Sequence, residues 1–319
     1  MAKPLVDCMV FMIILQCAKI QRAISFGLLA LCILASTAVN AQAALSAKQA
    51  RKSITRMAGF ELTNGSVRVK TISAGAGATE VSAEIRTVFK FEKDQQGNWR
   101  IAEIRTGPSH WEEIDLIARA LKTQPVTNEC SAPDALLRVA ATFDPSFKQA
   151  RCLLGSLLGV GVPSDAVRIQ EVSPLTIPLA SQASAVVVAW VKVEARLVTD
   201  NAGWKVSELR TGNREWVRLE PLVAAVNEEK RKKARVELES IASALGQFRR
   251  DRGFYVVSDN QAVVIDHLSP RYLSQVIRVD PWHQPYKYQG ERDHFILRSS
   301  GPDGKDGTPD DIQLVGPSR

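Results

Sequence analysis

An internal repeat constrains the fold of this chain more than any other feature. Lys48-Gln-Ala-Arg51 recurs as Lys148-Gln-Ala-Arg151, one hundred positions later. Residues 98–107, which read NWRIAEIRTG, recur as residues 203–212, which read GWKVSELRTG. So many identical residue types in one order do not arise by chance, so the chain contains two copies of one structural unit.

Both copies have the same predicted order of elements: a capped amphipathic helix, a short strand and a β-hairpin whose turn contains glycine. Ser46 and Asp144 are the predicted helix caps. The first copy has its helix over 47–57, its strand over 66–72 and its hairpin over 81–91 and 99–106; the second has 146–158, 166–172, 185–198 and 204–211. A helix with an antiparallel sheet makes each copy an α+β module.

One strip of the repeat has charged residues on the same strand face. Glu103 and Arg105 in the first copy correspond to Glu208 and Arg210 in the second. Period-two spacing predicts an ion pair within each strand at the surface, and a ligand-binding strip is the alternative. The repeated tryptophans are predicted to anchor the core: Trp99, Trp111, Trp204 and Trp216.

The N-terminus has the features of a secretory signal peptide. Arg22 precedes an apolar run over 23–35, and small residues follow, so we expect cleavage near Ala41 or Ala43. The mature protein would then be periplasmic or secreted. A second apolar patch at 10–15 leaves the alternative of an uncleaved inner-membrane anchor, the one case in which we expect membrane contact.

Two cysteines remain after such cleavage, Cys130 and Cys152. An oxidising compartment permits a disulfide between them. The alternative is a reduced Cys152 buried among helix leucines, and the sequence leaves both open.

Charge and motifs exclude two classes of function. The net charge is +7, but the basic residues are dispersed, without the aromatic-interleaved stripe of nucleic-acid proteins, so no nucleic-acid partner is expected. Nucleophile elbows, zinc-protease motifs and phosphate loops are absent from the sequence, so we expect no enzyme.

The C-terminal region contains a loop crowded with acidic residues. Asp303, Asp306, Asp310 and Asp311 lie among glycines and prolines. Oxygen ligands on a glycine-rich turn suit a hard cation, with calcium first, whereas a solvated acidic turn without metal is the alternative.

The elements around this loop are a long helix and a small sheet. The helix is predicted from Glu220-Pro221 toward Gly253, as one helix or two with a bend, and it has an apolar stripe ending at Phe248. Strands are predicted over 285–289, 294–298 and 312–315, each offering one apolar face to the helix.

Residues 235–319 resemble the C-terminal domain of the type II secretion major pseudopilin, pseudopilin G. The resemblance rests on Phe248-Arg-Arg-Asp-Arg-Gly-Phe-Tyr255, Asp280-Pro-Trp-His-Gln-Pro-Tyr286, Ser300-Gly-Pro-Asp-Gly304 and Thr308-Pro-Asp-Asp-Ile312. It implies a calcium site with carboxylates from Asp303, Asp310 and Asp311, main-chain oxygens near Ser299 and Ser300, and Asp306 as a further candidate. The chain departs from the family at His283, where glycine is usual, and in lacking the pseudopilin N-terminus.

The sequence therefore predicts an α+β chain with two helix-plus-sheet modules followed by a pilin-like domain. The predicted parts are a signal peptide (1–43), module 1 (44–122), a linker (123–143), module 2 (144–220) and a calcium-binding pseudopilin-like domain (221–319). We expect a non-catalytic exported protein, a structural or adaptor component of secretion or pilus-like machinery with protein partners. The alternative is a cell-envelope module that binds glycan or lipid through the duplicated units.

Overall fold

The two copies of the repeat combine into one sheet in the computed structural model, which describes residues 44–75, 77–94, 96–123, 130, 145–159, 165–175 and 183–316. The predicted leader and nearly all of the linker lie outside these residues. The first copy contains α1 (Ala47–Thr55), β1 (Val67–Ala74), β2 (Thr79–Lys93), β3 (Trp99–Arg105), β4 (Trp111–Glu113) and α2 (Ile114–Ala120). The second contains α3 (Phe147–Leu158), β5 (Val167–Leu175), β6 (Ser184–Asp200), β7 (Gly203–Arg210), β8 (Val217–Arg218) and the start of α4 (Leu219–Arg252).

The alternating pattern of β2 produces the buried face that the sequence predicts. Ala83, Ile85, Phe89 and Phe91 are buried, and their neighbours along the strand are more exposed. The N-cap of α3 is Ser146, whose side chain accepts a hydrogen bond from the Gln149 N–H, and the predicted cap Asp144 lies outside the described residues.

The sheet joins the two copies through their longest strands. β2 and β6 pair antiparallel without interruption from Thr79 opposite Leu197 to Glu92 opposite Ser184. The strand order is β4-β3-β2-β6-β7-β8, with β1 beside the remaining length of β2 and β5 beside that of β6. The core is therefore shared by the two copies.

The helices cross between the copies. Helix α1 packs on β1 and also on β7 of the other copy, and α3 packs on β5 and also on β3. The Ser53 hydroxyl on α1 donates a hydrogen bond to the Trp204 carbonyl oxygen at 2.7 Å. Each helix thus covers sheet from both copies.

The C-terminal region has the predicted helix and sheet. Helix α4 is one continuous helix of 34 residues that ends at Arg252, and Gly253, whose φ is 81°, is its C-cap. α5 (Gln261–Leu268), β9 (Lys287–Gly290), β10 (Phe295–Ser299) and β11 (Ile312–Val315) follow, with sheet order β11-β10-β9. The buried stripe of α4, including Leu238, Leu245 and Phe248, packs with the inner face of this sheet.

Helix α4 belongs to the repeat as well as to the C-terminal region. Leu219, its first residue, follows β8 just as Ile114 follows β4 in the first copy, 105 positions earlier. The helix runs without a break across positions 220 and 221, where the sequence divides two predicted domains, and that division stays a prediction.

Cys130 and Cys152 form a disulfide with their Cα atoms 5.8 Å apart. Of the two alternatives that the sequence left open, the structure contains the bonded one.

Candidate functional site

The aspartate-rich loop connects β10 to β11 and turns at three glycines. Gly301, Gly304 and Gly307 have φ angles of 63°, 64° and 77°, which favour glycine. At Gly301 space is also short, because a Cβ atom there would lie 2.4 Å from the carbonyl oxygen of Asp310. The two ends of the loop are therefore in close contact.

Three predicted metal ligands converge on the hydroxyl group of Thr308. Its Oγ1 lies 2.6 Å from Asp310 Oδ1, 3.3 Å from Asp303 Oδ1 and 3.3 Å from Asp311 Oδ1. A hydroxyl has one hydrogen to donate, so it cannot satisfy three carboxylates at once. Thr308 was not among the predicted ligands, although it stands among the loop's aspartates in the sequence.

Backbone amides satisfy part of the same carboxylates. The Lys305 N–H donates to Asp303 Oδ1 at 2.8 Å, and the Gly307 N–H donates to Asp311 Oδ2 at 2.8 Å. The Asp303 N–H donates to Asp310 Oδ2 at 3.2 Å. These bonds hold the side chains of the loop toward its interior.

The negative charge of these three aspartates is only partly compensated. Among the described residues, the ion pair they make within 4.0 Å is that of Asp311 Oδ2 with Arg298 Nε, at 3.9 Å. The hydrogen bond from Thr308 is the main cause that holds the pKa of Asp310 below its usual value. The loop thus places three carboxylates around one hydroxyl group.

The other predicted ligands have side-chain partners of their own. Asp306 pairs with Lys287 and accepts a hydrogen bond from Ser300 Oγ at 2.7 Å, and these contacts, Lys287 first, lower its pKa. Ser299 Oγ donates to Asp280 Oδ2 at 2.5 Å. The two serine hydroxyls are bonded to Asp280 and Asp306, and the contribution of the serine main-chain oxygens to a cation stays a prediction.

The donor set of the loop suits calcium in its chemistry. Three carboxylates and a hydroxyl offer oxygen only, as hard cations require. A second group in the described part of the chain, Glu291, Asp293 and His294, has its ligand atoms within 4.8 Å of one another. That group is largely exposed, and its Asp293–His294 contact of 3.0 Å raises the pKa of His294. Asp303, Asp310 and Asp311, which surround Thr308, do not form such a group with all ligand atoms within 4.8 Å of one another.

Asp280 is the buried centre of the turn that follows α5. It is 2% exposed, and its Oδ1 accepts hydrogen bonds from the Trp282 and Gln284 N–H groups, both at 2.9 Å. With Ser299 on Oδ2, the carboxylate accepts three bonds and joins the turn to the start of the aspartate loop. The Asp-Pro-Trp motif is therefore a structural element.

The residue that departs from the family pattern contacts the first copy of the repeat. His283 has φ 65°, where a non-glycine residue is strained by about 1 kcal/mol. Its Nε2 atom lies 2.6 Å from the carbonyl oxygen of Trp111 on β4. This contact provides a reason for an imidazole at a position that suits glycine.

Charged pairs connect α4 to the same part of the first copy. Lys230, 4% exposed, donates to Glu112 Oε1 at 2.7 Å. Arg119 on α2 pairs with Glu229 at 3.3 Å. The C-terminal region is thereby attached to β4 and α2 by specific polar contacts.

The charged strip of the repeat pairs across strands, which corrects the predicted pairing within each strand. Glu103 lies 3.1 Å from Lys90 on β2, and Arg210 donates its Nε to Glu194 on β6 at 2.7 Å. Arg210 also lies 4.5 Å from the ring centre of Trp216. Side chains opposite each other on paired strands are closer than those two apart on one strand.

The two copies also line an apolar groove of about 770 Å³ between the sheet and helices α2, α3 and α4. Equivalent positions of both copies contribute: Ile104 and Leu209, Thr106 and Thr211, Ile114 and Leu219, Ile117 and Leu222. Arginines and carboxylates, such as Arg214 and Asp115, are among its lining residues. Both copies therefore offer a ligand one shared groove with a mostly apolar lining.

The C-terminal region matches a known family. Residues 222–316 match the family model described as Type II secretion system (T2SS), protein G, which confirms the resemblance over residues 235–319 and extends it along α4. The match covers less than a third of the chain. No curated protein and no solved structure matches the chain. In the described residues, no helix is long and apolar enough to cross a membrane.

Proposed function

We propose that the protein is an exported, non-catalytic component of secretion or pilus-like machinery, in which residues 222–316 are a calcium-stabilised pseudopilin-like domain. The observation that carries this proposal is the family match over a helix and three-stranded sheet that keep the aspartate loop. The family is a structural part of type II secretion, which supports a structural or adaptor role with protein partners. The adaptor surface would be the duplicated units, which α4 joins to this domain.

Calcium would be held by Asp303, Asp310 and Asp311, with Thr308 placed to add a hydroxyl oxygen. When bound, the ion supplies the positive charge that the loop lacks. Because the carboxylates converge on one point from both ends of the loop, neutralising them would stabilise the connection of β10 to β11.

Thermal unfolding of the mature chain with calcium or with EDTA tests the metal. A ligand at one hundred times its dissociation constant stabilises the native state by about 2.7 kcal/mol. We expect calcium to raise the melting temperature of the wild type and not that of Asp310→Ala or Asp303→Ala. Asp293→Ala, in the exposed group on the β9–β10 turn, is the matched control and should respond as the wild type does. An equal melting temperature in calcium and EDTA would remove the metal from the proposal.

Surface plasmon resonance with purified secretion pseudopilins from the same cell tests the adaptor role. We expect the mature chain to bind at least one of them, more weakly in EDTA. Binding to none of the purified components would contradict the adaptor role and leave the calcium measurement unaffected.

N-terminal sequencing of the exported protein checks cleavage near Ala41 or Ala43.

The groove favours the lipid form of the alternative function, in which the duplicated units bind an acyl chain. A groove of about 770 Å³ with a mostly apolar lining has the size and character of a site for a small apolar ligand. Fluorescence of cis-parinaric acid should rise on binding to the wild type and not to Leu209→Trp, which fills the groove. Leu175→Trp, at an exposed position away from the groove, is the control. Exclusion of the probe from the wild type would reject this function.

A further inference from the structure

Two contacts connect the turn of Asp280 and helix α4 to strand β4 of the first copy, and a third connects the turn to α4. His283 Nε2 lies 2.6 Å from the Trp111 carbonyl oxygen, Lys230 donates to Glu112 at 2.7 Å, and Trp282 Nε1 donates to Asn227 at 3.0 Å. We call these six residues the polar joint: Trp111, Glu112, Asn227, Lys230, Trp282 and His283. They lie on three elements that are far apart in sequence.

The joint shares one buried carboxylate with the aspartate loop. Asp280 holds the Trp282 N–H with Oδ1 and the Ser299 hydroxyl with Oδ2, at 2.9 Å and 2.5 Å. Ser299 Oγ also accepts a hydrogen bond from the Gly301 N–H at 3.2 Å, inside the loop. A displacement at the start of the loop therefore moves the same carboxylate that orients Trp282.

The contact of Lys230 with Glu112 is the buried part of the joint. Lys230 is 4% exposed, and a buried ammonium group is tolerated only when it is paired. Its partner Glu112 has a second oxygen, Oε2, that is buried and has no hydrogen-bond partner in the described structure. The ring of Trp282 lies 6.0 Å from the Lys230 ammonium and limits its access to water. Movement of the turn would remove the Trp282 ring from this buried pair.

We infer that the polar joint couples the aspartate loop to β4 and α2, so that cation binding in the loop restrains the first copy of the repeat. This inference rests on the proposed calcium site. His283 acts here as a positioning residue: its ring reaches the Trp111 carbonyl, which a glycine at this left-handed position could not do. The C-terminal region would then be attached to the duplicated units and would also restrain their motion.

Hydrogen–deuterium exchange of the full mature chain, with calcium or with EDTA, tests the coupling. We expect calcium to slow exchange by about tenfold in peptides from residues 300–311 and also in peptides from residues 111–120. Protection of 300–311 alone would overturn the joint and leave the calcium site standing. Protection of neither segment would overturn both.

His283→Gly removes one contact of the joint and leaves the aspartate loop unchanged. Glycine adopts this backbone conformation without strain, so the variant should fold. We expect calcium still to protect residues 300–311 and to lose its effect on residues 111–120. His294→Gly, on the exposed β9–β10 turn, is the control and should keep both effects. Glu112→Gln tests the other contact, since it keeps the shape but removes the charge that pairs with Lys230. Full calcium protection of 111–120 in both joint variants would overturn the inference.

Discussion

Ile85 pairs with Val191 in the middle of the eight-stranded sheet, and the two residues are equivalent positions of the duplicated copies. On its other side Ile85 pairs with Val67, and Val191 pairs with Val167, one hundred positions later. An approximate twofold axis therefore passes between β2 and β6. A single copy would expose a long strand edge, which proteins avoid, and the pairing of β2 with β6 covers this edge in both copies.

A charge on this axis should unfold the shared core. Ile85→Asp and Val191→Asp each place a carboxylate at a buried position without a partner, and we expect each to lower the free energy of unfolding by about 3 kcal/mol or more. Because the positions are equivalent, the two losses should be similar. Val257→Asp, at a position 59% exposed, should cost little. Urea unfolding followed by circular dichroism gives the comparison.

Asp280→Ala should destabilise the C-terminal region strongly. It removes the acceptor of three buried donors, each of which costs about 1–3 kcal/mol when left unsatisfied. Asp280→Asn keeps an acceptor for the two backbone N–H groups and should lose less. Chemical denaturation of both variants beside Asp259→Ala, an exposed aspartate, measures the order. Equal stability of Asp280→Ala and the control would contradict the role of this turn.

Tyr286→Phe should destabilise the protein more at pH 7 than at pH 4. The Tyr286 hydroxyl donates to Glu237 Oε2 at 2.6 Å, and burial raises the pKa of both groups. Because the pKa of Glu237 is higher in the folded state than in the unfolded state, Glu237 stabilises the fold at pH values below its unfolded-state pKa. This stabilisation is lost as the pH rises through the folded-state pKa. Removing the hydroxyl leaves the ionised carboxylate short of a donor, at a cost of about 1–3 kcal/mol near neutral pH.

Unfolding of this variant is followed between pH 4 and pH 7, with Tyr272→Phe as the control. The Tyr272 hydroxyl bonds to Asp251 at an exposed site, so its loss should change stability little at either pH. A deficit in Tyr286→Phe that does not grow with pH would contradict the role of Glu237.

The aspartate loop should lose stability in acid. The pKa of Asp306 is lowered mainly by Lys287, and that of Asp310 mainly by Thr308. A carboxyl group whose pKa is lower in the folded state stabilises the fold at pH values above its unfolded-state pKa, which is near 4. This stabilisation is lost as the pH falls through the folded-state pKa. Lys287→Met should reduce the fall in melting temperature between pH 5 and pH 3 in EDTA. Lys305→Met, an exposed lysine of the same loop, should not.

Cys152→Ser should destabilise the duplicated units. The disulfide closes a loop with a sequence separation of 22 residues, and cross-links of this length stabilise by on the order of 3 kcal/mol. A reducing agent should lower the melting temperature of the wild type by a similar amount and leave that of Cys152→Ser unchanged. A wild type insensitive to reduction would contradict the prediction.

Local patterns were sufficient to predict most elements of this fold. Alternation along β2 identified the buried face with Ile85 and Phe89, and the stripe through Leu238 and Phe248 identified the core face of α4. These predictions succeed because the spacing of apolar residues along a strand or helix indicates which of its faces is buried, and this spacing can be read from residues close together in the sequence. The predicted ion-pair partners of Glu103 and Arg210 are wrong, because the partner of a charged side chain depends on which strands become neighbours in the sheet.

By itself, the sequence determined that the chain is a duplicated α+β unit followed by a pseudopilin-like region with an acidic glycine-rich loop. Repeated motifs and the spacing of glycines and aspartates carry that information locally. Only the tertiary structure decided that β2 pairs with β6, that the helices cross between copies, and that His283 reaches Trp111. These contacts join residues far apart in the chain, and burial of two incomplete apolar faces against each other selects them.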